Sequence, residues 1–188
     1  MMDRVDIVKT VAEFRGGDVV LMAKGAMKEW HRFSPINALD FFVAGAMGFT
    51  SSVGLGIALA QPERKVIVLD GDGCLLMNLG SLVTISGQSP PNLIHLVLNN
   101  NLYEQSGRVP ITGAGKFSLS GIARSAGIAR SYDFDALGDF REHFQAFLRE
   151  PGPTFACLKV APGPREPMNY AVSPAQMARS MELRLQQA

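Results

Sequence analysis

The sequence is short of several things, and each shortage narrows what the chain does. It has two cysteines in 188 residues, Cys74 and Cys157. They stand far apart and in no C-x-x-C spacing, which argues against a disulfide framework and a cysteine-held zinc. A reducing compartment suits such a chain, so a cytoplasmic location is expected. Charge is scarce as well. Charged residues make up 19%, and 18 basic against 17 acidic side chains leave a net charge of +1. That balance lacks the basic excess of a nucleic-acid binder, and so little charge on a small domain points to surface covered by a partner. No apolar run approaches the length of a membrane span; Val66 to Leu69 is typical. The N-terminal MMDRVDIVKTVAEF carries acids and has no apolar core before a cleavage site, so no secretory signal is expected. The N-x-[ST] sequon is absent.

Some catalytic signatures are missing too. No G-x-G-x-x-G follows a strand, and no G-x-S-x-G elbow occurs. Gly113-Ala114-Gly115-Lys116 has Pro110 where a P-loop needs its first glycine and Phe117 where it needs Ser or Thr. The three histidines, His31, His95 and His143, do not cluster. His95 falls inside an apolar strand and reads as a satisfied core residue. His143 falls on a polar helix face. His31 is a candidate for proton transfer.

What remains is a chain with 47% hydrophobic residues, enough to exclude intrinsic disorder and to build one domain over 1–188. Helical and strand patterns alternate. Helices are expected over Asp3 to Phe14, a short stretch after Ala23, Thr50 to Ala60, Leu75 to Ile85, Leu119 to Ala126 and Phe134 to Leu148. Strands are expected over Asp18 to Ala23, Lys65 to Leu69, Leu93 to Leu98, Ile128 to Tyr132 and Thr154 to Val160. Residues 99–116 read as irregular and residues 162–188 as a C-terminal arm and helix, with Ser173-Pro174 as its cap. Strands separated by helices imply an α/β, doubly wound, mostly parallel sheet with helices on both faces. Ligands of such sheets bind beyond the carboxyl ends of the strands.

Two strand ends carry suitable chemistry. Gly71-Asp72-Gly73-Cys74 follows the strand ending at Leu69. Its glycines permit close approach, and the Gly73 and Cys74 amides open the next helix as an anion site. An ordinary capped turn is the competing reading. Asn99-Asn100-Asn101 follows the next strand, one βαβ step later. If the strands are neighbours, Asp72 and Asn100 emerge side by side. A carboxylate, an amide oxygen and a backbone carbonyl suit Mg²⁺, which keeps its other positions for phosphate and water.

GDG, a gap of this size and NN closing a strand resemble the thiamine diphosphate (ThDP) motif. Gly45-Ala46-Met47-Gly48-Phe49 resembles the upstream segment of acetolactate synthases and pyruvate decarboxylases. The run GDGCLLMNLGSL looks most like the β subunits of sulfopyruvate and phosphonopyruvate decarboxylases. The resemblance implies a ThDP-binding fold and a cofactor site of Gly45, Met47, Gly71, Asp72, Gly73, Cys74, Asn100, Leu102 and Tyr103. It implies Mg²⁺ held by Asp72, the Asn100 side chain and the Leu102 carbonyl, with Met47 propping the bent cofactor and the Gly45 carbonyl facing its aminopyrimidine. It also implies decarboxylation of a small anionic 2-oxo acid; acetolactate synthase-like carboligation or a non-catalytic ThDP-binding module are the alternatives. The departure at Gly107-Arg108-Val109-Pro110 leaves Arg108 either a solvated loop residue or a contact for an anionic substrate group. The activating glutamate of the family lies on a separate pyrimidine-binding domain that nothing here matches. A pyrimidine-binding α subunit in a hetero-oligomer such as α₂β₂ is therefore expected.

Overall fold

The structure, a computed structural model, describes residues 1–34, 39–45, 47–163 and 173–186. Its elements run α1 (Arg4–Phe14), β1 (Val19–Met22), α2 (Lys24–Phe33), β2 (Asp40–Phe42), α3 (Thr50–Ala60), β3 (Val66–Gly71), α4 (Asp72–Leu76), α5 (Gly80–Gln88) and β4 (Leu93–Asn99). They continue with β5 (Leu102–Tyr103), β6 (Val109–Pro110), α6 (Leu119–Ser125), β7 (Arg130–Phe134), α7 (Leu137–Arg149), β8 (Thr154–Lys159) and α8 (Pro174–Leu185). Six strands form one parallel sheet in the order β2-β1-β3-β4-β8-β7, and β5 and β6 form a separate antiparallel ribbon. The expected doubly wound sheet is present. Its strand order reverses between β1 and β3, the place where such sheets leave a crevice.

The central strands are apolar throughout because helices cover both faces. On one face, Ile7 and Val8 of α1, Trp30 of α2 and Phe140, Phe144 and Phe147 of α7 pack on Val20, Ile67 and Leu96. On the other, Leu55 of α3, Leu82 and Ile85 of α5 and Leu119 of α6 pack on Val66, Val68 and Val97. The helix starts follow local chemistry. Asp3 caps α1 by accepting the Val5 N–H, and Ser173 and Gln176 form a reciprocal capping box on α8. Among the described residues, no helix is long and apolar enough to cross a membrane.

Three expectations need correction. The stretch after α2 is not all loop, because Asp40–Phe42 adds an edge strand parallel to β1. A buried aspartate hid it. Asp40 is 2% exposed, its carboxylate is ion-paired with Arg15, and it accepts the Trp30 Nε1–H at 2.8 Å. The single helix expected over Leu75 to Ile85 is two. Its first turns close with short Met77 N–H to Cys74 and Asn78 N–H to Leu75 bonds, and the Asn78 side chain donates to the Gly48 carbonyl at 3.2 Å. The segment after Asn99 is not wholly irregular, since the β5–β6 ribbon crosses it. The expected arm at 164–172 lies outside the described residues, as do Ala46 and residues 187–188.

Close packing fixes α3 against the sheet at Gly54. A Cβ there would sit inside van der Waals contact of Val68 Cγ2. Gly54→Ala is expected to lower unfolding stability by about 1–3 kcal/mol, with part of the loss restored by Val68→Ala in a denaturant titration.

Candidate active site

β3 and β4 pair in parallel through Gly71 opposite Leu98, so the residues that follow each strand emerge together. A cavity of about 390 Å³ opens there, beyond the carboxyl ends of β1, β3 and β4. Gly45, Met47, Gly71, Asp72, Gly73, Cys74, Asn100, Leu102 and Tyr103 all line it. The fold therefore brings all nine expected positions to one place.

Asp72 is the chemical centre of this wall. It is 3% exposed. Its Oδ1 accepts the Gly73 N–H at 2.8 Å and its Oδ2 the Asn101 N–H at 2.6 Å. Burial pushes its pKa up to about 6, and the Glu104 carboxylate adds to the rise, while the N–H groups of Gly73, Asn101 and Asn100 oppose it. Asn100 Oδ1 accepts the Leu102 N–H at 2.9 Å and keeps a second lone pair. Ile111 N–H donates to the Asn101 carbonyl at 3.0 Å, so Leu102 and Pro110 form a non-hydrogen-bonded pair and the Leu102 carbonyl points away from the ribbon. One buried carboxylate with no cation among the groups that shift it, one amide oxygen and one carbonyl turned away from the ribbon form a hard-oxygen set. That set fits Mg²⁺ better than zinc. Among the described residues no three His, Cys, Asp or Glu side chains gather to hold a metal, as expected for a set with a single carboxylate.

The walls leave room for a ligand because side chains are missing where they would intrude. A Cβ on Gly73 would lie 2.5 Å from Tyr103 Cδ1, and Cβ atoms on Gly45 or Gly71 would project into open space. Gly48 takes φ +91°, a left-handed conformation that turns the chain between Met47 and Phe49, and packs against Met77. The Gly73 amide is not a free anion donor, since Asp72 occupies it. Cys74 accepts the Gly48 N–H at 3.2 Å through sulfur, and burial pushes its thiol up to about 12. That thiol is no nucleophile at neutral pH.

Residues 18–156 match the family described as thiamine pyrophosphate enzyme, C-terminal TPP binding domain. The chain belongs to that family. It is 39% identical over 166 residues to the sulfopyruvate decarboxylase subunit beta of Methanothermobacter thermautotrophicus, covering 87% of this chain and 84% of that one. It is 38% identical over 140 residues to the phosphonopyruvate decarboxylase of Streptomyces viridochromogenes, covering 74% of this chain and only 35% of that enzyme. Among solved structures, benzoylformate decarboxylase from Polynucleobacter necessarius superposes with a TM-score of 0.73 at 19% identity, covering 89% of this chain and 36% of that one. That last likeness concerns the fold alone.

Other residues of this TPP-binding domain reach the cavity without having been singled out from the sequence. Ala23, Lys24, Gly25 and Ala26 line it from the start of α2. No side chain caps that helix; Ala26 N–H closes on the Ala23 carbonyl at 3.1 Å, which leaves the Lys24 and Gly25 amides at the positive end of the helix, a place that suits an anion. They directly follow β1, so the strand-end rule applied to β3 and β4 would have found them. Arg4 and Glu104 also line the cavity. Glu104 Oε2 receives Arg4 Nη1 at 2.6 Å, and its Oε1 accepts the Gly163 N–H at 2.5 Å. Arg108 does not reach the cavity. Its side chain is 26% exposed, its Nη1 donates to the Gly163 carbonyl at 2.6 Å, and it lies 3.8 Å from Glu104, so it is a partly solvated loop residue tied to its neighbours.

The histidines differ from expectation in part. His95 is buried, but only Nε2 has a partner, Asp70 Oδ2 at 3.3 Å; Nδ1 has none. His143 is exposed and leans on Phe134. His31 is not among the residues that line the cavity, and neither ring nitrogen has a hydrogen-bond partner.

Proposed function

We propose that this chain is the diphosphate-binding subunit of a two-chain, ThDP- and Mg²⁺-dependent decarboxylase of a small anionic 2-oxo acid, of the sulfopyruvate or phosphonopyruvate kind. The observation that carries the reading is the buried Asp72 carboxylate beside Asn100 and Leu102 at the floor of the cavity. Asp72, the Asn100 side-chain oxygen and the Leu102 carbonyl hold Mg²⁺. The uncapped start of α2, with Lys24, and the Cys74 region receive the diphosphate; Gly71 and Gly73 contribute by having no side chain. Met47 and the Gly45 carbonyl support the rest of the cofactor, and Tyr103 closes the wall over Gly73. Bound ThDP supplies the electron sink for the carbon–carbon bond that breaks.

Residues 1–188 act as one diphosphate-binding unit, and the remaining half of the site comes from a pyrimidine-binding α subunit, in an assembly such as α₂β₂. Three observations support this. The relative from Methanothermobacter is named a subunit beta, while the phosphonopyruvate decarboxylase carries the matched region as about a third of a longer chain. The glutamate in the cavity wall, Glu104, is bound to Arg4 and Gly163 and is not free to activate a cofactor. Met47, which lines the cavity, and Phe49 and Met77, which flank Gly48, are 42%, 54% and 53% exposed, apolar surface of the kind a partner covers.

Affinity purification of the full chain from its own cells is expected to bring down a second chain. Fed a single 2-oxo acid, the complex is expected to release CO₂ and an aldehyde. A carbon–carbon coupled product moves the assignment to a carboligase, a reaction carried out by the acetolactate synthases that this chain also resembles at 29% identity. ThDP binding without turnover makes the chain a non-catalytic module.

A further inference from the structure

The β5–β6 ribbon has little of its own to hold it. Leu102 and Tyr103 are half-buried, and Val109 and Pro110 are exposed. An isolated ribbon of two such strands is marginal in water. Ile111 anchors its base: it is 3% exposed and donates to the Asn101 carbonyl at 3.0 Å. The turn at the other end closes on itself, with the Ser106 and Arg108 amides donating to the Tyr103 carbonyl at 3.1 and 3.0 Å. The ribbon nevertheless carries Leu102 and Tyr103 into the cavity wall. What ties down its turn lies far away in the chain.

Glu104 and Arg108, at the two sides of the turn, both reach Gly163 at the exit of β8. Glu104 Oε1 accepts the Gly163 N–H at 2.5 Å, and Arg108 Nη1 donates to the Gly163 carbonyl at 2.6 Å. Arg4, the first residue of α1, completes the assembly. Its Nη1 donates to Glu104 Oε2 at 2.6 Å, and its Nη2 lies 3.8 Å from Glu29 Oε1 of α2. The side chains of Arg4, Glu29 and Glu104 are 8%, 3% and 9% exposed. Arg4 also stands against Gly25, where a Cβ would meet Nη1 at 3.8 Å. One buried guanidinium therefore reaches both walls of the cavity, the start of α2 and the segment that holds Leu102 and Tyr103. Gly163 leaves it room, since a Cβ there would lie well inside van der Waals contact of Arg4 Nη2.

We propose that Arg4 and Glu104 are positioning residues: their ion pair latches the turn of the ribbon to α1 and to the exit of β8, and so fixes the Leu102 carbonyl and the Tyr103 ring before any ligand arrives. The proposal rests on the reading of the cavity as the ThDP site, in which Leu102 holds Mg²⁺ and Tyr103 closes the wall. Both residues act through the ribbon and not on the reacting atoms. Removing one partner strands the other as a buried charge without compensation. Glu104 without Arg4 would also set an unpaired negative charge beside a diphosphate. The turn then swings to water, and the Leu102 carbonyl loses its fixed direction.

The test compares Arg4→Met, which keeps the packing and removes the fork, with Arg4→Lys, which keeps the charge. Both are made in the full chain. Hydrogen exchange of the unliganded chain reads the latch directly at the Ser106 and Arg108 amides, and ThDP titrations at one fixed Mg²⁺ concentration read its consequence. Arg4→Met is expected to speed exchange at both amides by at least about 10-fold while the amides of β3 and β4 keep their protection. It is expected to weaken ThDP binding roughly 10-fold, the lower end of what losing an orienting group costs. Arg4→Lys is expected to recover part of both. Unchanged exchange at the turn, or equally faster exchange through β3 and β4, overturns the proposal. So does a turn that loosens with no loss of ThDP affinity. If Arg4→Met does not fold, Gly163→Ala takes its place, because its methyl displaces the guanidinium and leaves every charge in the chain. Asp72→Ala separates the two readings. If it leaves ThDP affinity unchanged the cofactor assignment fails, whereas exchange in the unliganded chain still judges the latch.

Discussion

Asp72→Ala is expected to abolish Mg²⁺-dependent ThDP binding while the chain stays folded. The side chain supplies the only carboxylate of the hard-oxygen set, and no cation is among the groups that shift its pKa. A divalent ion is the charge that this buried group lacks. Removing it deletes a direct ligand, so the loss should exceed the 10–100-fold that changes to orienting groups cause, at least about 100-fold. Stability should change little. Burial already disfavours the ionised carboxylate, and the Gly73 and Asn101 amides that it leaves face a cavity open to water. Calorimetric titration of ThDP with and without Mg²⁺, beside a melting curve, separates the two effects. Unchanged affinity would mean that the metal lies elsewhere.

Gly73→Ala should have the second largest effect. The added methyl would sit 2.5 Å and 2.8 Å from two ring carbons of Tyr103. Neither Tyr103 nor the turn moves freely, because the ribbon holds Tyr103 opposite Val109 and Asp72 holds the Gly73 amide. The ring is pushed toward the cavity, and the room for a ligand shrinks. An overpacking cost of about 1–3 kcal/mol corresponds to roughly 5–150-fold in affinity. Because one ring causes the clash, Tyr103→Ala added to Gly73→Ala should recover most of the loss. A double-mutant cycle reads that coupling, and strict additivity would show that the glycine serves some other purpose.

Much of the site could be read in the sequence because its parts are local. Asp72 and Asn100 each follow a short apolar run that buries as a central strand, and the parallel sheet carries both to one edge. The Thr50–Ala60 helix and the Ser173 cap were legible for the same reason: their signals lie within a few residues. What escaped depends on partners far along the chain. The strand Asp40–Phe42 is marked by a buried aspartate whose neutralising Arg15 lies 25 positions earlier. Glu104 is occupied by Arg4, 100 positions away, and no local pattern announces such a pair. The break between α4 and α5 comes from Asn78 reaching the Gly48 carbonyl, 30 positions back. Tertiary hydrogen bonding there overrides a sequence that reads as one continuous helix.

These distant contacts matter for function as well as for folding. Glu104 is the one glutamate among the described residues that line the cavity, and its ties to Arg4 and Gly163 remove it from chemistry. In the proposed reading the half-site carries the metal ligands, a diphosphate well and a shaped wall, and depends on another chain for the activating acid.

Decarboxylation of a 2-oxo acid, measured as CO₂ release with ThDP and Mg²⁺ present, tests that dependence most directly when the purified chain is assayed alone and then with the chain that co-purifies with it. The account predicts ThDP binding but negligible turnover from the single chain, and turnover when the partner is restored. Full turnover by the single chain, unchanged when the partner is added, would contradict it.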